Sequence, residues 1–347
     1  MGLDIEDAAL DEEPLWGLNE DVKKYYDTMV RPILWKAAEA LGMPEWLTDS
    51  QNRFYDQLKR MFKYGRALGP MHRTWVSVLQ GCAMSQIWAN IDGSAWAWEV
   101  ESKAKVKVGG FIDDKGMRSR DREEVQKGAD ASSSYHESSG QEVEPSKSCA
   151  WCTDRAARDE ADKMVLAGVQ VDWADKDKVL GVEHQYVEAK ERSVEKIRAS
   201  AAGDAAERLK KLPLGWELKD RLAACAVVSK YVFGAGNHGA PKKETSKLQR
   251  QVELAIRGPL HQGRARELLW TLILKGERSD PEQVLAIQAF QTFVRILQKR
   301  RETWEVFMRI WEKKDRWKPR PWRGGRYRGW GNLWKNVAGS GSNPSES

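Results

Sequence analysis

The chain has 347 residues, 41% of them hydrophobic and 31% charged, with a formal net charge of +6. That is enough apolar material for one or two cores, since domains usually run to ~100–200 residues. It excludes a wholly disordered chain, and no stretch approaches the ~18–20 uncharged apolar residues of a membrane helix. The opening MGLDIEDAALDEE is acidic and unlike a secretory signal. Four cysteines (Cys82, Cys149, Cys152, Cys225) in so long a chain do not make a disulfide framework, so a reducing, intracellular setting is expected.

In chain order, residues 1–14 are acidic and expected to be irregular. Leu15-Trp16-Gly17-Leu18 reads as a strand leading into Asp21. Residues 28–41 read as a helix stopped by Gly42. A second helix is expected around 49–64, with Phe54, Tyr55, Leu58, Met61 and Phe62 on one face and Gly65, Gly69 and Pro70 ending it. Trp75–Leu79 reads as a strand, followed by a helix over about 83–98. Residues 104–118 predict a hairpin: Lys105-Val106-Lys107-Val108 alternates, and Gly109-Gly110 permits a tight turn. Phe111-Ile112 then begins the return strand, so that Asp113 and Asp114 lie near a strand tip. The Ser-rich segment 128–148 reads as a weak helix or a loop, and 176–184 as strand-like. From about 186 onward the pattern is helical. The strongest case is 281–300, with Asp280 as N-cap, Pro281 at the first helical position and Val284, Ile287, Phe290, Val294 and Leu297 along one side. The expected fold class is α+β in the front half and all-α behind.

Charge is unevenly distributed. From Arg309 to Lys335 there are ten Lys/Arg against Glu312 and Asp315, a local net of +8, which leaves −2 for the rest. Six of the 17 tryptophans (Trp304, Trp311, Trp317, Trp322, Trp330 and Trp334) fall in or beside that segment. Cations that attract phosphates, interleaved with rings on which bases stack, make a sequence-tolerant nucleic-acid binder. Trp317, Arg320, Trp322, Arg323, Arg326, Arg328 and Trp330 are the candidate binding residues of a tail, 311–347, expected to be largely disordered. The ordinary alternative is a sticky tail whose tryptophans dock on the body.

Five short motifs occur in order: Asp21-Val22-Lys23-Lys24-Tyr25-Tyr26-Asp27, Leu79-Gln80-Gly81-Cys82-Ala83-Met84-Ser85, Phe111-Ile112-Asp113-Asp114, Gly140 with Lys147, and Val179-Leu180-Gly181-Val182. Alone, an Asp-Asp pair is usually a solvated turn. Together the motifs resemble, in order and spacing, the palm motifs of reverse transcriptases of non-LTR retrotransposon type, over about 15–184. A looser resemblance to a helical thumb and connector follows. The resemblance implies a palm at 1–185, an antiparallel sheet with packed helices, then a thumb/connector-like region at 186–310. With about 20 residues before Asp21, the fingers subdomain is not expected within the chain.

The resemblance also implies roles. Asp21 and Asp113 would hold two Mg²⁺ ions, with Asp114 supporting the site. Tyr26 would stack under the incoming sugar and reject a 2′-hydroxyl by shape. Gln80 and Gly81 would line the nucleotide and template side, and Lys147 would protonate departing pyrophosphate. Leu180 and Gly181 would fall in the primer grip. The implied activity is RNA-directed DNA polymerisation on an RNA template, a DNA primer and deoxynucleoside triphosphates. The competing readings are a non-catalytic nucleic-acid-binding remnant acting through the tail, and a helical RNA-binding protein in which the motif order is chance. Considered singly, Tyr26 reads equally as a core aromatic, Gln80-Gly81 as a plain turn and Lys147 as a solvated lysine. The lone Cys149-Ala150-Trp151-Cys152 lacks the four ligands of a structural zinc site, and no histidine stands at diagnostic spacing.

Overall fold

The computed structural model describes residues 2–179, 181–187, 193–234, 241–258, 268–299 and 302–313. The chain is α+β and divides into two compact units, Glu12–Asp177 and a second made by Met1–Asp11 with Lys178–Ser347. The described helices are α1 (Gly2–Leu10), α2 (Arg31–Ala40), α3 (Glu45–Gln57), α4 (Ser85–Lys103), α5 (Arg122–Ser139), α6 (Ser193–Lys211), α7 (Trp216–Leu222), α8 (Lys242–Arg257), α9 (Pro281–Lys299) and α10 (Glu302–Glu312), besides shorter turns of helix. The main sheet has strands β1 (Trp16–Asp21), β2 (Lys107–Phe111), β3 (Asp114–Ser119) and β4 (Cys149–Cys152), in the antiparallel order β2-β3-β1-β4.

Side chains alternate across a strand, and that parity sets up the sheet. Trp16, Leu18 and Glu20 of β1 share one face with Met117 and Lys115 of β3 and are buried against α4 and α5. The core there includes Trp96, Val100, Val125 and Ala129. Gly128 lets α5 approach closely, because a Cβ at that position would stand 2.7 Å from Met117 Sδ. On the other face Gly17, Asn19 and Asp21 lie opposite Arg118, Gly116 and Asp114. The ring of Trp151 lies over Gly17, where a Cβ would come within 2.2 Å of it. A neighbouring core holds Trp35, Tyr55, Trp88 and Val78, with Trp35 and Trp88 edge to face at 4.4 Å between centroids.

In the helical unit α6, α7 and α8 pack on Ala202, Val227, Leu248, Val252 and Trp270. A π-helical stretch, Ala223–Val228, continues α7. The acidic N-terminus is helix α1, not irregular: Asp7 meets Arg309 at 3.0 Å and Asp11 pairs with Lys313.

Other expectations are corrected. The second helix ends at Gln57, before Met61 and Phe62, which are exposed. Trp75–Leu79 is not a strand. It is tied by single bonds, Ser77 N–H to the Met29 carbonyl and Val78 N–H to that of Tyr26 (both 2.8 Å). Gly109 and Gly110 lie inside β2, and the hairpin turns at Ile112-Asp113. Of the Ser-rich segment, residues 128–139 belong to helix α5, whose N-cap Asp121 accepts from Glu123 N–H and whose end is Gly140 in the left-handed region at φ 72°, and 140–148 are not helical. Small residues, not large ones, let it bury a face. Helix α9 has the predicted cap, Asp280 accepting from Glu282 N–H. Of its apolar side, Val284 is buried while Ile287 and Phe290 are exposed.

Candidate active site

Strand β1 ends at Asp21, and the register sets Asp21 opposite Asp114, the first residue of β3. Directly opposed residues in an antiparallel pair share a face, with Cα atoms ~4.5–5.5 Å apart. Asp113 precedes Asp114 in the two-residue turn from β2. Asp21 and the Asp113-Asp114 pair, from segments about 90 residues apart, therefore lie at one end of the sheet. The other turn residue, Ile112, has φ 62°. A β-branched side chain adopts that conformation only when its surroundings impose it. Backbone strain is thus stored beside Asp113.

The loop between α5 and β4 runs along the end of β1. Glu144 N–H donates to the Asp21 carbonyl (2.9 Å), Asp21 N–H donates to Ser148 Oγ (3.2 Å) and Lys23 N–H donates to the Glu142 carbonyl (2.8 Å). That path carries Lys147 to the tip, with its Nζ 3.6 Å from Asp21 Oδ2 and its side chain largely in solvent. Gly140, which ends α5, is what lets the chain turn back there.

Tyr26 joins three of the motifs. Its phenol is raised above the ordinary tyrosine value by partial burial and by Asp113, partly offset by a hydrogen bond with Ser85. Ser85 opens α4 and donates to the Cys82 carbonyl at 2.7 Å. Gln80 and Gly81 form the exposed turn before it, with Gly81 at φ 89° and Cys82 N–H returning to the Leu79 carbonyl at 3.1 Å. Asp21, Tyr26, Asp113, Asp114 and Lys147 come together. Gly181, at φ 76°, belongs to the helical unit, where its carbonyl accepts from Arg198. Leu180 and the tail residues Trp317, Arg320, Trp322, Arg323, Arg326, Arg328 and Trp330 lie outside the described residues.

The donor set suits a hard cation. Among the described residues no group of three or more His, Cys, Asp or Glu is placed to hold a metal by itself. Mg²⁺ is ordinarily held by one or two carboxylates plus substrate phosphates and waters, so carboxylates at one tip fit a site that substrate completes. The C-x-x-C is different. Cys149 and Cys152 are three apart on β4 and project to opposite faces. Burial pushes the Cys152 thiol up to about 11, and the Cys149 thiol higher still, with Asp177 beside it.

Beneath the tip lies a polar network that motif reading does not reveal. Glu20 and Lys115, register partners, turn inward from Asp21 and Asp114. The Lys115 ammonium is 3.3 Å from Asp92 Oδ2 and stands over the rings of Tyr25, Trp96 and Tyr135 at 5.6, 5.2 and 5.3 Å. Asp92 also accepts from Tyr25 (2.8 Å), Tyr135 (2.9 Å) and Gln141 (3.2 Å). Glu20 accepts from Ser132 and lies 3.4 Å from His136 Nε2. Burial pushes the Glu20 carboxyl up, but His136, Lys115 and Ser132 together hold it below the ordinary carboxylate range. One sequence signal was available: in a strand with Trp16 and Leu18 inward, residue 20 must also point inward, and a buried glutamate needs partners.

No family model matches this chain, and no curated protein does. Among solved structures it is similar to telomerase from Candida albicans in complex with a TWJ fragment of telomeric RNA, at 15% identity and a TM-score of 0.46, covering 84% of this chain and 46% of that one. It is also similar to telomerase from Candida tropicalis with a TWJ fragment, at 12% identity and a TM-score of 0.43, over 89% and 51%. A C-terminally truncated apo form of the latter gives 14%, 0.38, 53% and 37%. The chain spans about half the length of these telomerases or less. What it does has to be argued from the strand tip itself.

Proposed function

We propose that the chain is a reverse-transcriptase-like nucleotidyltransferase of the non-LTR retrotransposon kind, which extends a DNA primer on an RNA template with deoxynucleoside triphosphates. The observation that carries this reading is the register of Asp21 opposite Asp114, with Asp113 in the adjoining turn and Tyr26 and Lys147 at its flanks. Asp21 and Asp113 would hold two Mg²⁺ ions, with Asp114 beside them. Bound there, the ions would supply activation of the primer 3′-hydroxyl and stabilisation of the leaving pyrophosphate. Lys147, exposed and within reach of Asp21 at the same tip, would supply a proton to that leaving group. Tyr26 is a ring next to Asp113 that excludes a 2′-hydroxyl by shape. Gly81, without a side chain, leaves the backbone open to close approach by a base pair.

The test is primer extension on an RNA template in Mg²⁺, wild type against Asp113→Ala and Asp21→Asn. The expected result is extension by wild type that both substitutions remove without unfolding the sheet. An inactive wild type that still binds RNA in a salt-dependent way would assign the chain to the non-catalytic alternative.

A further inference from the structure

The segment between α3 and α4 has no role in the chemistry above and an unusual surface. From Leu58 to Trp75 the sequence carries five Lys/Arg and no acid. Residues 61–68 are all exposed, and within them Lys63–Tyr64 pairs with Ala67–Leu68 in a minimal hairpin. Arg60 and His72 bridge its base. An isolated two-stranded hairpin is marginal in water, and this one buries neither face. It nevertheless presents Tyr64 at 90% exposure, Phe62 at 77% and Trp75 at 75%. The Phe62 ring is stacked on His72 at 5.1 Å and 18°, which holds it flat. Among the described residues, none of Lys59, Lys63, Arg66 or Arg73 lies within ion-pair distance of an acid.

The base of the arm supplies an independent observation. Arg31 is buried, donating to the Thr74 and Trp75 carbonyls and lying 5.2 Å over the Tyr55 ring. Among the described residues its Nη1 has no hydrogen-bond partner, and neither do the buried Nε and Nη2 of Arg60. Burial lowers the Arg31 proton affinity, Asp56 opposes that, and the Arg60 guanidinium adds a smaller fall. Buried donors without acceptors are rare, because each costs the desolvation of that group. Two guanidiniums with unsatisfied N–H groups suit a phosphate oxygen, which reaches them only if the base of the arm opens.

We propose that this arm is a binding surface for single-stranded nucleic acid, with Phe62, Tyr64 and Trp75 stacking on bases, Lys63, Arg66 and Arg73 following the backbone, and a phosphate seated on Arg31 and Arg60. Flat exposed rings among unpaired cations are complementary to unpaired bases on a phosphate chain, whereas a duplex hides its base faces. The proposal stands apart from the polymerase reading, since it needs neither Asp21 nor Asp113.

The experiment uses the full chain and a fluorescein-labelled oligouridine, followed by anisotropy across about 50–200 mM salt. All variants lie at exposed positions, so folding is expected to survive and is checked by circular dichroism. Lys63→Gln/Arg66→Gln/Arg73→Gln should lower the slope of log K against log salt by about 2, at ~0.7 per single-strand phosphate contact. Phe62→Ala, Tyr64→Ala and Trp75→Ala should each weaken binding ~5–100-fold, and a duplex of equal length should compete poorly. Loss of RNA binding in the arm variants together with absent primer extension by wild type would sink the polymerase reading and leave this one standing. Unchanged slope and affinity in the arm variants would overturn the proposal. So would a lowered slope with all three aromatic variants neutral, or variants that abolish self-association while RNA binding persists, which would give the arm to a second copy of the chain.

Discussion

The pair Lys115–Asp92 ties β3 to α4 directly beneath the carboxylate tip, and its removal has a computable cost. In Asp92→Leu, the Lys115 ammonium is left with its side chain 1% exposed and without its ion-pair partner, the remaining carboxylate near it being Glu20. The phenols lose less, because Tyr25 also donates to the Ala89 carbonyl (3.2 Å) and Tyr135 to that of residue 92 itself (3.1 Å). Breaking a buried pair by deleting one partner typically costs ~3–5 kcal/mol, which at ~1.36 kcal/mol per decade is two to four powers of ten in the opening equilibrium. Replacing both partners, Asp92→Leu with Lys115→Met, removes the stranded charge and should recover most of the loss. Hydrogen exchange of β1 and β3 peptides measures the opening free energy of this unit alone, and α6 and α8 of the other unit provide an internal control. A loss below ~1 kcal/mol, an equal loss in α6 and α8, or a double variant no better than the single would refute the assignment of Lys115 and Asp92 as a mutually dependent buried pair.

Three more expectations follow from the same geometry. Because the folded Glu20 carboxyl lies below its ordinary value, its contribution to stability is fully present above the unfolded pKa and is lost as pH falls through the folded one. Glu20→Gln should therefore flatten the acid limb of a stability–pH profile, and an unchanged limb would remove Glu20 from the account. Cys152, buried with its thiol at about 11, should resist a thiol reagent at pH 8 while exposed Cys225 reacts, with four thiols titrating only after denaturation. Equal native rates for Cys152 and Cys225 would contradict the packing of β4. Gly17→Ala would drive a Cβ to 2.2 Å from the Trp151 ring and 2.9 Å from the Met117 carbonyl, and overpacking of this kind costs ~1–3 kcal/mol. It should appear as a lower urea midpoint of the sheet-bearing unit, and a variant as stable as wild type would mean that the ring is free to move.

How much of this was legible in one dimension depended on how local the physics was. The α+β class, the strand into Asp21, the stop at Gly42 and the capped start of α9 were readable, because caps, glycines and alternation act over a few residues. The candidate aspartates, Tyr26, Gln80-Gly81 and Lys147 were readable only as an ordered set. Errors came where tertiary contacts overrode the local pattern. The glycine pair in β2 invited a turn that the sheet register places two residues later, at a strained Ile112. The apolar periodicity through Met61 and Phe62 looked like a core-facing helix, yet the chain leaves that helix at Gln57 and sends those side chains to solvent. The Ser-rich α5 looked too polar to pack, and packs because small residues admit the sheet closely while Ser132 and His136 find Glu20.

The sequence by itself determined which residue types were available at the tip and in what order, because hard acids, a ring and a lysine are matters of chemistry at fixed positions. Only the tertiary structure decided that Asp21 faces Asp114 and that Lys147 reaches them, because register and chain reversal depend on pairings between segments far apart along the chain. It also decided that the cations and rings from Phe62 to Trp75 form an exposed arm and not part of a core. The sequence showed their charge and aromaticity, but exposure depends on what the rest of the fold leaves uncovered.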